Sequence, residues 1–137
     1  MILVVDTNIV FSALLRDSTI RGLLIDCAFT LYAPENIIKE LKKYRDEICS
    51  RAGYSHEEFD ILLSLVTESI VIIEKERYAE QLTEADKLLG HVDKGDVPFL
   101  ALAMSIPCGI WTENVKHFRV QNKVKVLTTK EIMELIR

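Results

Sequence analysis

The N-terminal stretch constrains the fold more than any other part of the chain, because Met-Ile-Leu-Val-Val runs directly into Asp6-Thr7-Asn8. A continuous apolar run of this length is typical of a strand buried on both faces, as in a parallel sheet. Apolar residues at helical spacing follow, so we expect a strand over Ile2–Val5 and a helix over Thr7–Leu15, capped by Thr7 or Asn8. In open α/β sheets the ligand crevice lies beyond the carboxyl ends of the strands, so Asp6 is predicted to point into a site.

Apolar segments and helical patterns alternate along the rest of the chain. Further strands are expected at Thr30–Ala33, Ile70–Ile73, Ile110–Thr112 and Val124–Leu127. Helices are expected from a Ser18 cap to Cys27, and over Glu35–Ser50, Ser55–Val66, Tyr78–Gly90, Asp96–Met104 and Thr128–Arg137, with capping boxes at Ser55 and Thr128 and a C-cap at Gly53. This alternation indicates a parallel-sheet α/β sandwich, and we expect a single domain over residues 1–137.

Composition excludes several classes of protein. The chain has 137 residues, 49% of them hydrophobic, which suffices for one domain with a substantial core. No apolar stretch approaches the ~20 residues of a membrane span, and the N-terminus lacks the pattern of a secretory signal. Cys27, Cys49 and Cys108 form no C-x-x-C motif, so we expect buried or half-buried thiols in a reducing cytoplasm.

Charge gives a divided indication about nucleic acid. The formal net charge of −4 disfavours a general nucleic-acid binder, because phosphate contacts need lysine and arginine. Basic residues nevertheless cluster over Lys39–Arg45 and again over Lys116–Lys125. On charge alone, ordinary solvated faces remain an open alternative.

The third predicted helix carries an acid at the edge of its apolar face. One stripe is formed by residues at spacings of four, three and four, namely Ile37, Leu41, Tyr44 and Ile48. At ~100° per residue, Glu40 lies at the edge of this stripe and can project into a crevice. Glu47 lies near the same edge, about two turns further on.

Oxygen-bearing side chains are predicted to gather at one end of the sheet. They are Asp6 after the first strand, Thr112, Glu113 and Asn114 after the fourth, and Glu40, Asp93 and Asp96 from helices or their ends. Such a set, without paired Cys or His, suits Mg²⁺ or Mn²⁺. Taken singly, each also has a plainer interpretation: Asp6, Asp93 and Asp96 as N-caps, Glu40 as a surface residue and Asn114 as a turn residue.

The order and setting of these residues resemble the PIN domain, the fold of many metal-dependent ribonucleases. The resemblance covers nearly the whole chain and rests on Asp6-Thr7-Asn8, Glu40 in Ile37-Ile-Lys-Glu-Leu41, Asp96 before Phe-Leu-Ala-Leu-Ala with Asp93 nearby, and Thr112-x-Asn114 followed by Lys116-His-Phe118. Asp-Thr-Asn alone is a weak signal, whereas the four segments in this order are a strong one.

The resemblance implies a three-layer α/β/α sandwich with a central, mostly parallel sheet. It also implies an endoribonuclease that needs Mg²⁺ or Mn²⁺ and cleaves single-stranded RNA by metal-activated water. Asp6, Glu40 and Asp96 would hold the metal, and Asn114 would complete the catalytic set. Secondary roles would fall to Asn8, Asp93, Thr112 and Glu113, and guidance of the RNA backbone to Lys39, Lys43, Lys116 and Arg119.

Compact PIN domains of this kind resemble the toxins of toxin–antitoxin pairs, which implies a cytoplasmic homodimer and a small antitoxin partner.

One departure from the PIN pattern favours a second hypothesis, since many PIN domains have an aspartate where this chain has Asn114. Asparagine offers an oxygen but no negative charge, so a catalytically weak PIN-like RNA-binding or scaffold domain is the alternative. A signalling receiver domain would need an acceptor aspartate after a middle strand, and the region of Asp60 instead has the pattern of an amphipathic helix.

Overall fold

A five-stranded sheet organises the chain. The computed structural model describes residues 1–15, 18–26 and 29–136. The strands within these ranges are β1 (Ile2–Val5), β2 (Thr30–Pro34), β3 (Ile70–Ile73), β4 (Gly109–Trp111) and β5 (Val126–Leu127). Their order across the sheet is β3-β2-β1-β4-β5, and every pairing between these strands is parallel.

Helices connect the strands and follow the last one. They are α1 (Thr7–Leu15), α2 (Ser18–Ile25), α3 (Asn36–Lys43), α4 (Arg45–Ala52), α5 (His56–Thr67), α6 (Leu82–Leu89), α7 (Val97–Ser105), α8 (Val115–Phe118) and α9 (Thr129–Leu135). Short 3₁₀ turns occur at Lys75–Arg77, Ala79–Gln81 and Lys94–Asp96. Within the described ranges, no helix combines the length and the apolar character that a bilayer crossing requires.

The helices cover both faces of the sheet. Helices α1, α2, α4 and α5 pack against one another, whereas α6 packs on α7 and α7 lies on β1, β2 and β4. Leu3, Val4 and Val5 of β1 are fully buried, and consecutive buried residues require cover on both faces. The three-layer α/β/α sandwich that the sequence predicts is therefore confirmed.

The carboxyl ends of β1 and β4 lie side by side where the connectivity switches direction. The chain runs from β1 to β2 on one side of the sheet and from β4 to β5 on the other. Val5 pairs with Trp111 at the last rung of these two strands, so Asp6 and Thr112 emerge next to each other. A crevice forms at such a switch point because the two connections depart in opposite directions.

Helix α7 brings a third segment to this end of the sheet. Six of its nine residues are buried. Pro98 lies in its first turn, where a missing backbone N–H breaks no helical hydrogen bond. Asp96 therefore occupies the N-terminus of a core helix, as the sequence predicts.

Three of the predicted helix ends are confirmed, at Ser55, Thr128 and Gly53. Ser55 and Glu58 form a reciprocal capping box at the start of α5, and Thr128 and Glu131 form another at α9. Gly53 ends α4 with φ at 77°, a left-handed conformation that favours glycine. Of the cysteines, Cys49 is buried and Cys108 is half-buried, as expected; Cys27 and the last part of its predicted helix lie outside the described residues.

The prediction of one helix over Glu35–Ser50 is wrong. Helix α3 ends at Lys43 and α4 begins at Arg45, with Tyr44 between them at φ −97° and ψ 10°. The break has no proline or glycine to announce it. Instead the Tyr44 ring packs edge-on against Phe11 of α1, with 5.7 Å between centroids, so tertiary packing determines the direction of the chain here.

Three other element predictions need correction. The predicted helix over Tyr78–Gly90 is helical only as α6, because the buried Tyr78 stands between two 3₁₀ turns at φ −122°. Strand β5 begins at Val126, two residues later than predicted, because the Gln121 side-chain amide forms hydrogen bonds with both the N–H and the C=O of Val124. No helix is predicted between the fourth and fifth strands, where the structure has the short helix α8.

Candidate functional site

A cleft of about 470 Å³ opens at the switch point. We call it the acidic cleft, and it is lined by Asp6, Thr7, Asn8, Phe11, Glu40, Lys43, Tyr44, Glu47, Asp93, Gly95, Asp96 and Asn114. The sequence-predicted residues in this lining are Asp6, Asn8, Glu40, Lys43, Asp93, Asp96 and Asn114. They come from both helical layers and from the end of the sheet.

Asp6 lies at the inner end of the acidic cleft and is only 4% exposed. Its Oδ2 accepts a hydrogen bond from Thr112 Oγ1 at 2.7 Å, and its Oδ1 accepts one from the Thr7 N–H at 2.8 Å. The pKa of this carboxyl is raised from 3.8 to about 7, chiefly by burial and to a smaller extent by the charges of Asp96 and Glu40, while the two hydrogen-bond donors act in the opposite direction. Asp6 is also the residue directly before α1. The predicted caps Thr7 and Asn8 do not cap this helix, because their side chains donate to Glu40 and Thr112 instead.

Thr112 connects the two strand ends beneath the cleft. It is fully buried, and its hydroxyl donates to Asp6. The same oxygen accepts from the Asn114 N–H at 2.9 Å and from Asn8 Nδ2 at 3.3 Å. One hydroxyl thereby fixes the acid after β1 relative to the turn after β4.

Glu40 is oriented by two donors rather than solvated at a helix rim. Thr7 Oγ1 donates to its Oε2 at 2.6 Å, and Asn36 Nδ2 donates to its Oε1 at 3.3 Å. Burial raises the pKa of Glu40, and the charges of Asp96 and Asp93 act in the same direction. The plainer interpretation of Glu40 as a surface residue does not describe this environment.

Asp96 and Asp93 flank the start of α7 in different ways. Asp96 makes no side-chain capping bond, and its Oδ2 lies 2.9 Å from His117 Nδ1. Asp93 accepts from the Gly95 N–H at 2.8 Å, so its expected role as a cap holds for one of its oxygens. Burial raises the pKa of Asp96, while the hydrogen bond from His117 opposes the shift.

His117 is a site residue to which the sequence analysis gave no role. Its Nδ1 lies 2.8 Å from Asn114 Nδ2 as well as 2.9 Å from Asp96. One ring nitrogen cannot donate to Asp96 and accept from Asn114 at the same time. The tautomer therefore determines whether Nδ1 donates to Asp96 or accepts from Asn114. The Lys-His-Phe segment was the available signal, but its contact with Asp96 exists only in the folded chain.

The remaining predicted residues lie outside the lining of the acidic cleft. Glu113 is exposed and accepts from the Thr129 N–H at 2.8 Å, at the start of α9. Lys39 and Lys116 are exposed. The Arg119 guanidinium lies 3.1 Å from Glu131 and also contacts the Val126 carbonyl. Only Lys43 of the four proposed guiding cations faces the cleft.

The donor set fits a hard divalent cation. Among the described residues, neither Asp6 nor Glu40 forms an ion pair with a lysine, arginine or histidine. In the part of the chain that the structure describes, the group whose ligand atoms lie within 4.8 Å of one another is Asp93, Asp96 and His117, which shares only Asp96 with the predicted set of Asp6, Glu40 and Asp96. The charges of Asp6, Glu40 and Asp96 repel one another, and Lys43 and His117 offset this repulsion only in part. A bound divalent ion would relieve the rest, and oxygen donors favour Mg²⁺ or Mn²⁺.

A parallel α/β sandwich with carboxylates at its switch point is the arrangement that the resemblance to the PIN domain implies. The sequence pattern of the PIN domain family matches residues 4–136. The chain therefore belongs to the PIN domain family.

Solved structures with the same fold include two from bacteria. One is VapBC2 from Rickettsia felis bound to a DNA fragment from their promoter, with 16% identity, a TM-score of 0.72 and coverage of 93% of this chain and 98% of that chain. The other is VapBC-1 from nontypeable Haemophilus influenzae, with 19% identity, a TM-score of 0.71 and coverage of 95% and 99%. No curated protein sequence matches the chain.

Proposed function

We propose that this protein is a divalent-metal-dependent endoribonuclease that cleaves single-stranded RNA as the toxin of a toxin–antitoxin pair. Membership of the PIN domain family and structural likeness to VapBC toxin–antitoxin proteins support a role of this kind. The observation that carries the chemistry is the buried Asp6 carboxylate, which shares one cleft with Glu40 and Asp96 and has no ion-pair partner among the described residues.

Asp6, Glu40 and Asp96 would hold Mg²⁺ or Mn²⁺, with Asp93 and Asn114 as neighbouring oxygen donors. A divalent cation in such a site lowers the pKa of water and stabilises the charge that develops on a phosphoryl group. Because Asn114 replaces a carboxylate with a neutral amide, this site has one negative charge fewer than the common PIN arrangement.

The other side chains of the acidic cleft orient these ligands and the RNA. Thr112 holds Asp6, and Thr7 and Asn36 hold Glu40, through the hydrogen bonds given above. The Asn8 amide can donate to a phosphate oxygen that enters the cleft. Lys43 contributes a positive charge beside the acids and draws the RNA backbone towards them.

Cleavage of a labelled single-stranded RNA by the purified protein tests the proposal. We expect cleavage with Mn²⁺ or Mg²⁺, none with a chelator, and a loss on the order of 10²–10³-fold in Asp6→Asn, as when one group that stabilises transition-state charge is removed. Glu57→Gln, which neutralises an exposed acid on α5, is the matched control and should retain full activity.

RNA binding without cleavage under any divalent metal would contradict the nuclease proposal and would establish the scaffold alternative.

The toxin role is tested in the same variants. Expression of the wild-type chain should arrest growth of a bacterial host, and expression of Asp6→Asn should not. A cytoplasmic location, a homodimer and a small antitoxin that occupies the cleft complete the proposal.

A further inference from the structure

We propose that Tyr44, supported by Phe11, is a stacking platform for one unpaired base of the RNA next to the phosphodiester bond that is cut. This inference rests on the proposed function and assigns a role to the outer end of the acidic cleft. The feature behind it is a pair of aromatic rings, accompanied by cationic side chains, about one helical turn from the carboxylates.

The two rings form a fixed unit. Their centroids are 5.7 Å apart and their planes meet at 86°, an edge-to-face contact. Phe11 is partly buried against the core, whereas Tyr44 remains 38% exposed. The core therefore holds Phe11, Phe11 holds Tyr44, and Tyr44 presents aromatic surface to the cleft.

The position of the rings matches the reach of a nucleotide. Phe11 lies three residues after Asn8 on α1, and Tyr44 follows Glu40 by four residues at the end of α3, so each ring is roughly 4–6 Å further along its helix than a residue of the acidic end. Both rings and both inner residues line the same cleft. A phosphate at the acidic end would place its own base, or the adjoining one, over Tyr44.

Two cationic side chains lie beside the rings, and one of them is paired with an acid, because Arg51 lies 3.5 Å from Glu47, which also lines the cleft. Lys43 Nζ lies 5.8 Å from the centroid of Tyr44, and the Arg51 guanidinium lies 5.9 Å from that of Phe11. The Lys43 side chain is exposed and flexible, so it can leave the ring for a phosphate when a base stacks. Aromatic rings interleaved with cations are the arrangement that binds single-stranded nucleic acid without reading its sequence.

The break between α3 and α4 gives Tyr44 this position. In one continuous helix Tyr44 would continue the apolar stripe of Ile37 and Leu41, which are fully buried. Instead the chain changes direction at Tyr44 and leaves its ring at the surface of the cleft. An aromatic residue that the fold keeps out of the core is available to a ligand.

The test is a binding cycle between protein variants and two RNA probes. The first probe is a fluorescein-labelled single-stranded 12-mer of mixed sequence, and the second is a 12-mer of the same backbone in which every base is absent. Dissociation constants are measured by fluorescence anisotropy without divalent metal, so that no cleavage occurs. The variants are Tyr44→Ala, Tyr44→Leu and Tyr44→Phe, with Leu65→Ala as a control that truncates an exposed apolar residue on α5.

We expect Tyr44→Ala and Tyr44→Leu to weaken binding of the base-bearing RNA by about 5- to 150-fold, the usual range for loss of one base stack. Tyr44→Phe should bind within about twofold of the wild type, because it keeps the ring. None of the three should alter binding of the abasic strand. Lys43→Gln should weaken both probes alike and reduce the dependence of binding on salt.

Three results would overturn the platform: equal losses of affinity for the two probes, no loss in Tyr44→Ala and Tyr44→Leu, or absence of RNA binding by the wild type. Tyr44→Leu keeps the side-chain bulk, so a folding defect in Tyr44→Ala does not decide the result. The two proposals fail separately. Cleavage without a base-dependent role of Tyr44 leaves the nuclease standing alone, and base-dependent binding without cleavage leaves only the platform.

Discussion

At the scale of single residues, the burial of Asp6 in the fold opposes the ionised state that the proposed metal site requires. A buried carboxylate with two hydrogen-bond donors is costly to ionise, and burial accordingly raises the pKa of Asp6 to about 7. A metal site needs the same group ionised. The protein therefore keeps a destabilising residue at the end of its central strand, and the cost becomes measurable when no metal is bound.

This cost predicts a dependence of stability on pH. Between about pH 4 and pH 7 the folded protein holds the Asp6 proton while the unfolded chain has lost it, so the free energy of unfolding falls as pH rises through this window. Asp6→Asn removes the share of this dependence that Asp6 contributes, while Glu40 and Asp96, whose pKa values are also raised, keep theirs. The variant should be more stable than the wild type at pH 8 by roughly 2–4 kcal/mol in the presence of a chelator. Thermal melts at pH 5 and pH 8 measure the difference; equal slopes in the two proteins would contradict it.

Asn114 is the residue at which this chain departs from the common PIN pattern. Its side chain lies in the acidic cleft beside His117 and Asp96. Asn114→Asp adds a negative charge near the bound cation, so we expect Mn²⁺ to bind about tenfold more tightly, or ~1.4 kcal/mol. Isothermal titration calorimetry measures the affinity.

The control for this variant makes the same chemical change elsewhere. Asn122→Asp alters an exposed residue outside the lining of the cleft and should leave Mn²⁺ affinity unchanged. A gain of equal size in both variants would mean that net charge, rather than the position of Asn114, determines the affinity.

At the scale of elements, the site depends on how two strand ends are joined. The Asp6 N–H donates to the Trp111 carbonyl at 3.0 Å, and Thr112 then bonds the Asp6 side chain. Backbone and side chain thereby fix the same pair of strand ends. Bonds within the chain itself therefore hold the acid next to the turn after β4.

Thr112→Val tests this junction because it preserves shape and removes the hydroxyl. Asp6 would lose its closest donor, and the Asn114 N–H and the Asn8 amide would lose an acceptor. We expect a destabilisation of about 1–3 kcal/mol and a steeper loss of stability towards alkaline pH. Urea unfolding measures both effects, Thr112→Ser should restore most of the loss, and a valine variant as stable as the wild type would show that the hydroxyl is dispensable.

Elements with local causes could be predicted from the sequence, and those with distant causes could not. The capping boxes at Ser55 and Thr128 act within one helical turn, so they are visible in four consecutive residues. The break at Tyr44 depends on Phe11, which is 33 positions away, and no propensity signals it. The contact of His117 with Asp96 spans 21 positions and was missed for the same reason.

At the scale of the whole molecule, the acidic cleft joins the two helical layers. Thr7 of α1 and Glu40 of α3 bond each other on one side. Asp93 and Asp96 precede α7 on the other side, and Asp6 lies between them at the end of β1. Fold-level rules predict that Asp6 lies close to the turn after β4, because strand ends converge at a switch point, whereas the resemblance to the PIN domain implies that Glu40 and Asp96 join them. A cation bound by all three parts would link both layers through the sheet.

Binding of such a cation should therefore stabilise the entire domain. At a free Mn²⁺ concentration of 100 times its dissociation constant, the free energy of unfolding should rise by about 2.7 kcal/mol. For a chain of this size each kcal/mol shifts Tm by roughly 3–5 °C, so the wild type should gain about 10 °C in a melt followed by circular dichroism.

The variant Asp6→Asn should gain far less from Mn²⁺, although it starts from the higher Tm without metal at pH 8. The wild type should therefore close its deficit of roughly 2–4 kcal/mol as Mn²⁺ is added, and it should overtake the variant at about 1,000 times the dissociation constant, where its gain reaches about 4.1 kcal/mol. The buried charge that weakens the free protein would then be the one that binds the ion. Parallel gains in both proteins would place the stabilising ion away from Asp6 and would remove the metal centre from the acidic cleft.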